Sequence, residues 1–66
     1  MSTYLIGKQC SIHVRDPLHG KILYYTVKEV IDVTDTHMTF IDKFGKEFSY
    51  KMDDILQIQD IMEAGK

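Results

Sequence analysis

The sequence predicts an all-β fold: a small, strongly bent, five-stranded antiparallel barrel with one helical turn before the last strand. Apolar and polar residues alternate along most segments, which is the period of a strand with one wet face. Proline and glycine stand where tight connections between such strands are needed. The chain has only 66 residues, so we expect one domain over 1–66, with a lead-in at 1–7 and a tail at 62–66.

The first predicted strand covers residues 8–15. Its inward-facing side chains alternate with polar ones and are Cys10, Ile12 and Val14. The loop that follows, residues 16–20, contains Pro17, which restricts its own φ and that of the residue before it, and Gly20, which accepts a positive φ. This loop therefore joins the first strand to a second one.

The second strand is predicted to be long and bent. Residues 21–33 are rich in β-branched and aromatic side chains, with apolar groups on both faces near the start and a change of phase at residues 28 and 29. This pattern is typical of a strand that is shared between the two halves of a barrel. A polar turn at 34–36 then leads into a third strand over 37–42.

A hairpin and a closing strand are predicted for the rest of the chain. A turn containing Gly45 joins the third strand to a fourth over 47–52. Asp53 and Asp54 are expected to cap a single helical or 3₁₀ turn, since their carboxylates can accept free backbone amides. Residues 55–61 then form the fifth strand.

Composition and charge exclude several classes of protein. The chain has one cysteine, Cys10, and a formal net charge of −2, so it has no internal disulfide, and we expect a reducing, cytoplasmic location. Its apolar runs are too short to cross a membrane, and residues 1–6 lack the pattern of a signal peptide. The charge is also too small to imitate the phosphate backbone of DNA.

Neither metal binding nor catalysis is expected. The possible metal ligands are Cys10, His13, His19 and His37. Cys10 and His13 are three residues apart in a strand and so point to opposite faces, and the sequence has no pair at the spacing of a metal site. Ser11 and His13 share a face, but an enzyme built on them would need a pocket and an oxyanion donor. We therefore expect no cofactor and no enzymatic activity.

The segment from Val30 to Ile61 is similar to the second half of an Sm-like or Src-homology-like small barrel. Its Asp-Thr-His-Met-Thr stretch, residues 35–39, resembles the loop with which Sm proteins hold a uracil base. The resemblance implies that Asp35 orients the loop, His37 stacks on a base and Thr39 stands where the family has a base-reading asparagine. The Arg-Gly signature of the family is replaced here by Lys51-Met52.

Charge is unevenly distributed along the chain, which leads to a nucleic-acid hypothesis. Residues 1–28 hold four basic side chains and one carboxylate, whereas residues 29–66 hold four lysines and nine carboxylates. Small barrels bind single strands through basic grooves and stacked rings. An alternative function is therefore single-stranded RNA or DNA binding through Lys8, Arg15, Lys21, His37 and Lys43.

The leading hypothesis is a non-enzymatic binding module or regulator that contacts a protein partner or another copy of itself. An open barrel keeps edge strands whose backbone can pair with a further strand. Phe44 lies at a hairpin tip, and Tyr24 and Tyr25 place one ring on each face of the sheet. These three rings are the predicted partner-binding residues, whereas Phe40, Phe48 and Tyr50 are predicted to build the core.

Overall fold

A computed structural model describes residues 3–64 of the chain. Its five strands form one antiparallel sheet with the order β4-β3-β2-β1-β5. The strands are β1 (Lys8–Arg15), β2 (Ile22–Val33), β3 (His37–Asp42), β4 (Glu47–Lys51) and β5 (Ile55–Glu63). Two 3₁₀ helices, Thr3–Leu5 and Met52–Asp54, precede β1 and β5 respectively. The all-β prediction and the five strands are confirmed, and no ladder within residues 3–64 joins β4 to β5.

The long second strand bends where its sequence changes phase. Its pairing with β3 shifts register between Val27 and Glu29 and again between Val30 and Asp32. The buried positions are Val27, Val30 and Val33, three residues apart instead of two. These shifts turn the strand, so that its first half pairs with β1 and its second half with β3.

The core lies on the concave side of this bent sheet. Its buried apolar residues are Leu5, Cys10, Ile12, Val14, Val27, Val30, Val33, Met38 and Phe40. Phe48, Tyr50 and Tyr25 are half-buried and pack against this cluster. The predicted inward face of β1 is confirmed, and so is the prediction that Phe40, Phe48 and Tyr50 build the core. Period-two alternation places every second side chain of a strand on the buried face.

Two tyrosines from non-adjacent strands meet across this concave face. The hydroxyl of Tyr25 in β2 lies 2.6 Å from that of Tyr50 in β4, and the two ring centroids are 5.6 Å apart. β3 lies between these strands in the sheet, so the contact requires strong curvature. Burial and the bond from Tyr25 raise the pKa of the Tyr50 hydroxyl.

The structure corrects several predicted boundaries. The second strand begins at Ile22 and the fourth ends at Lys51, so Met52 belongs to the 3₁₀ helix. The predicted tail begins inside β5, which continues through Glu63, because β1 offers partners for that stretch as far as Lys8. The last two residues of the tail, 65 and 66, lie outside the described residues.

The predicted caps of the helical turn are also wrong. Asp53 and Asp54 lie inside the 3₁₀ helix, its N-cap is Lys51, and no side chain of the described chain bonds to that cap. The capping position, with its extended backbone, is occupied by Lys51 at the end of β4, which leaves none for the aspartates. Their carboxylates are therefore available for contacts outside the turn.

The lead-in contributes more than sequence patterning indicated. Leu5 is 2% exposed and belongs to the core, and the N–H of Gly7, which has φ +84°, donates to the carbonyl of Val30 at 2.8 Å. Residues 1 and 2 of the predicted lead-in are outside the described residues. The described part of the lead-in closes one end of the core.

Candidate functional site

The outer edges of β4 and β5 are the first candidate surface. Within residues 3–64, β4 pairs only with β3, and β5 pairs only with β1. Each strand therefore presents one row of backbone groups that no described strand satisfies. Such edges are templates for adding another strand.

The two edges differ in how well they are protected. β5 begins with five uncharged residues, 55–59, and Leu56 is 43% exposed there. The pairing of β5 with β1 shifts register at Leu56 and again between Gln59 and Met62. Near the second shift Asp60 has φ +58°, and Glu63 forms an ion pair with Lys8. Bulges and charges block edge pairing. The first half of β5 carries one of these features, a register shift, and the second half carries both.

A groove lies at the base of the β3–β4 hairpin, which we call the base groove. It consists of two adjoining cavities, of about 330 and 270 Å³, that share His37 and Lys51 in their walls. The remaining lining residues are Pro17, Asp35, Thr36, Ser49, Tyr50, Met52, Asp53 and Asp54. Three separate chain segments thus meet there: the β1–β2 loop, the β2–β3 turn and the second 3₁₀ helix.

Backbone hydrogen bonds hold these segments together. The N–H of Met52 donates to the carbonyl of Thr36 at 2.8 Å, which attaches the 3₁₀ helix to the β2–β3 turn. Within that turn, Thr34 Oγ1 accepts from the N–H of His37 at 3.0 Å. The groove is therefore built on a fixed frame.

The base groove has an apolar floor and an acidic rim. Met52 and Tyr50 are half-buried within it, and the carboxylates of Asp35, Asp53 and Asp54 line it. The formal positive charge in its walls comes from Lys51. Such a groove favours an apolar group accompanied by positive charge.

The opposite end of the hairpin is a rigid turn, residues 43–46, which we call the hairpin tip. Asp42 is 8% exposed, and its Oδ1 accepts from the N–H groups of Phe44 at 3.0 Å and Lys46 at 2.9 Å. Gly45 takes φ +83°, as predicted. Phe44 itself is 82% exposed, and the Nζ of Lys43 lies 5.2 Å from its ring centroid.

The β1–β2 loop carries its own side-chain hydrogen bond, between Asp16 and His19. Asp16 accepts from the N–H of Leu18 at 3.0 Å and lies 2.9 Å from His19 Nδ1. The bond from His19, followed by that from Leu18, lowers the pKa of the Asp16 carboxyl. These contacts fix the loop beside the base groove, which Pro17 lines.

The convex face of β1, β2 and β5 is mainly polar, with Ile22, Tyr24 and Met62 as exposed large hydrophobic side chains. The rings of His13 and Tyr24 meet edge to face with centroids 4.5 Å apart. Cross-strand partners on this face are Gln9, Ser11, His13 and Arg15 in β1, Ile22, Tyr24 and Thr26 in β2, and Gln57, Gln59 and Met62 in β5. None of these ten residues is acidic.

The predicted partner-binding rings occupy three different environments. Tyr24 is exposed on the convex face, Phe44 is exposed at the hairpin tip, and Tyr25 is half-buried against the core. The expectation that one tyrosine of the pair faces outward is confirmed for Tyr24. The three rings are not brought together on one surface.

The predicted nucleic-acid residues are also dispersed. Arg15 and Lys21 lie at one end of the β1–β2 pair, where the carbonyl of Lys21 accepts from the N–H of Asp16. Lys8 lies at the other end of β1, in its ion pair with Glu63. His37 is in the base groove, and Lys43 is at the hairpin tip. The sheet order places β5, from the acidic half of the sequence, beside β1, from the basic half. Segments of the acidic half therefore lie on both sides of the basic half in the sheet.

The residues considered for metal and catalytic chemistry are placed apart. Cys10 is buried, which raises the pKa of its thiol, and Ser11 and His13 lie outside both cavities of the base groove. Among residues 3–64, no three His, Cys, Asp or Glu side chains are grouped so that they could hold a metal ion. No helix in the same part of the chain is long and apolar enough to cross a membrane.

Of the residues that line the base groove, the resemblance to the Sm loop singled out Asp35 and His37, but the groove itself was not predicted from the sequence. Asp53 and Asp54 were assigned to capping and Pro17 to turn formation, because each assignment used only neighbouring residues. The groove exists because the sheet curls until the β1–β2 loop reaches Tyr50 of β4. No protein-family model, curated protein or solved structure matches this chain.

Proposed function

We propose that this chain is a non-enzymatic binding module that associates with other copies of itself through the free edges of its sheet. The observation that carries the proposal is the first half of β5, an edge of five uncharged residues that includes the exposed Leu56. Edge strands of monomeric proteins are ordinarily blunted by lysine, proline or a bulge. Residues 55–59 contain no lysine, arginine or proline, although their ladder with β1 shifts register at Leu56.

The other free edge supplies a partner for the first. The middle of β4 is Phe48-Ser49-Tyr50, also uncharged, between Glu47 and Lys51. The two edges lie at opposite ends of the strand order, so β4 of one copy can pair with β5 of the next. Contacts of this head-to-tail kind form rings or open chains.

A barrel-like shape in the Sm-like or Src-homology-like class fits this proposal. Pro17 and Tyr50 line one cavity although they come from the β1–β2 loop and the outermost strand β4. The Tyr25–Tyr50 bond likewise joins β2 to β4 across the concave side. Curvature of this degree supports the proposal of a small barrel that is left open between β4 and β5.

Charging the edge tests the proposal. In Leu56→Lys, we expect loss of self-association, because neighbouring copies would have to bury a lysine in the shared ladder. Sedimentation velocity over a hundredfold or wider concentration range measures the mass. Leu18→Lys is the matched control, since Leu18 is 81% exposed in the β1–β2 loop, and it should behave like the native chain.

Two results would contradict the proposal. A native protein that stays monomeric at every concentration rejects self-association altogether. Unchanged association of Leu56→Lys, with circular dichroism showing a folded domain, rejects the β5 edge as the contact.

Single-stranded nucleic acid binding is a second candidate, favoured by the convex face. Tyr24 is 72% exposed there and contacts the ring of its cross-strand partner His13. Its neighbours on this face along β2 are Ile22 and Thr26, and Arg15 lies at the end of the face. Exposed rings that stack on bases contribute about 1–3 kcal/mol each.

Fluorescence anisotropy with labelled oligo-dT and oligo-U at low and high salt tests this candidate. We expect weaker binding for Tyr24→Ala and native binding for Tyr4→Ala, since Tyr4 is also exposed but lies outside the convex face. The absence of binding at low salt rejects the candidate.

A further inference from the structure

The two ends of the β3–β4 hairpin are complementary in shape and charge. The hairpin tip carries an exposed phenyl ring between two lysines, whereas the base groove has an apolar floor under three carboxylates. We propose that the hairpin tip of one copy docks into the base groove of another copy. The inference rests on the proposed self-association and names a second contact that stabilises it.

The fold holds the tip in place but does not use its ring. Asp42 satisfies the N–H groups of Phe44 and Lys46, and the N–H of Lys43 donates to the carbonyl of Thr26 at 3.0 Å. The turn thus depends on Asp42 and Gly45, while the Phe44 side chain projects into solvent. Because the backbone of the turn is already ordered, it loses little conformational freedom when Phe44 binds a partner, and interface anchors share this property.

The base groove is suited to receive this ring. Its larger cavity, about 330 Å³, is lined by Met52, whose flexible thioether packs well against aromatic rings. Asp35 and Asp53 line the same cavity, and Asp54 lines the adjoining one. In the turn, the Nζ of Lys43 lies 5.2 Å from the Phe44 ring centroid, and the Nζ of Lys46 lies 5.5 Å from the Phe48 ring centroid. A seated Phe44 ring therefore brings Lys43 to the acidic rim, with Lys46 next to it along the hairpin. Opposite potentials of this kind orient the two partners.

The contact has to form between copies. The tip and the groove are separated by the length of β3, His37–Asp42, which is about 17 Å in an extended strand. Phe44 therefore cannot reach the groove of its own chain. Each copy offers one tip and one groove, so the contact is head-to-tail, like the edge pairing proposed above.

A photoreactive ring at position 44 tests where the tip lies. The purified full-length variant Phe44→p-benzoylphenylalanine is irradiated, and its cross-linked products are mapped by mass spectrometry. The native chain is irradiated in the same way for comparison. We expect an intermolecular adduct on residues 49–54, centred on Met52. The same probe in Tyr24→p-benzoylphenylalanine is the control, because Tyr24 is exposed on the convex face, and it should give no adduct on those residues.

Reversing the charges on each side gives an independent test. Lys43→Glu with Lys46→Glu reverses the tip, and Asp53→Lys with Asp54→Lys reverses the groove. Each double variant alone should associate roughly tenfold more weakly than the native chain. An equimolar mixture should recover association, because every reversed tip then finds a reversed groove. Circular dichroism confirms that both variants fold.

The outcomes separate this inference from the function on which it rests. A native chain that is monomeric at every concentration rejects both. Self-association that persists without an adduct on residues 49–54, or without recovery in the mixture, rejects docking of the tip and leaves edge pairing in place. Adducts on another copy's β5 or on the convex face also overturn the inference.

Discussion

Replacing Phe40 with alanine is expected to lower the free energy of unfolding by about 3–5 kcal/mol. Phe40 is fully buried, and its ring centroid lies 5.3 Å from that of Tyr25 and 5.7 Å from that of Phe48. Truncation leaves a cavity where three strands converge. A domain of this size has a total stability of about 3–10 kcal/mol, so the variant loses most of it.

Urea unfolding followed by circular dichroism measures this effect. Leu18→Ala is the matched control, because that apolar side chain is 81% exposed and its loss should change stability by less than about 0.5 kcal/mol. An equal effect of the two substitutions would show that Phe40 is not the centre of the core.

Asp42→Ala is expected to cost about 2–4 kcal/mol, because a buried carboxylate oxygen accepts two backbone N–H groups at the hairpin tip. Removing it leaves both donors without their partner and releases the turn that positions Phe44. Asp42→Asn keeps one acceptor oxygen at the same place, so we expect it to lower the free energy of unfolding by no more than half as much as Asp42→Ala does.

Chemical denaturation of the two variants, with Asp32→Ala as the control, distinguishes this role from a general effect of charge. Asp32 is an exposed aspartate of β2 outside the base groove, and its loss should be nearly neutral. If Asp42→Ala has the same urea midpoint of unfolding as the native protein, the hydrogen bonds at the tip do not stabilise the domain.

The strands were predictable because their evidence is local. Residues 8–15 show strict alternation, and β1 covers that range. Gly45 marks the one position of its turn that has a positive φ. The change of phase at residues 28 and 29 located the bend of β2, because a bulge has to move the buried side chains out of step.

The candidate sites were less predictable because they depend on contacts between distant residues. Patterning predicted the exposure of Phe44 and of one of the two tyrosines Tyr24 and Tyr25, and the structure shows that Tyr24 is the exposed one. The base groove did not, since Pro17 and Tyr50 are far apart in sequence and share a cavity only after the sheet curls. The role of Leu5 was also missed, because one leucine in a short lead-in has no periodicity to identify it.

The sequence by itself determined the class of fold, the order of the strands along the chain, most of their inward faces and the turn that exposes Phe44. These features follow from period-two alternation and from the backbone preferences of glycine and proline, which act over a few residues. The tertiary structure alone decided which edges stay free, where the acidic side chains gather and which rings are exposed together. Those properties depend on how a bent sheet brings segments that are distant in sequence into contact, and no local sequence pattern encodes those contacts.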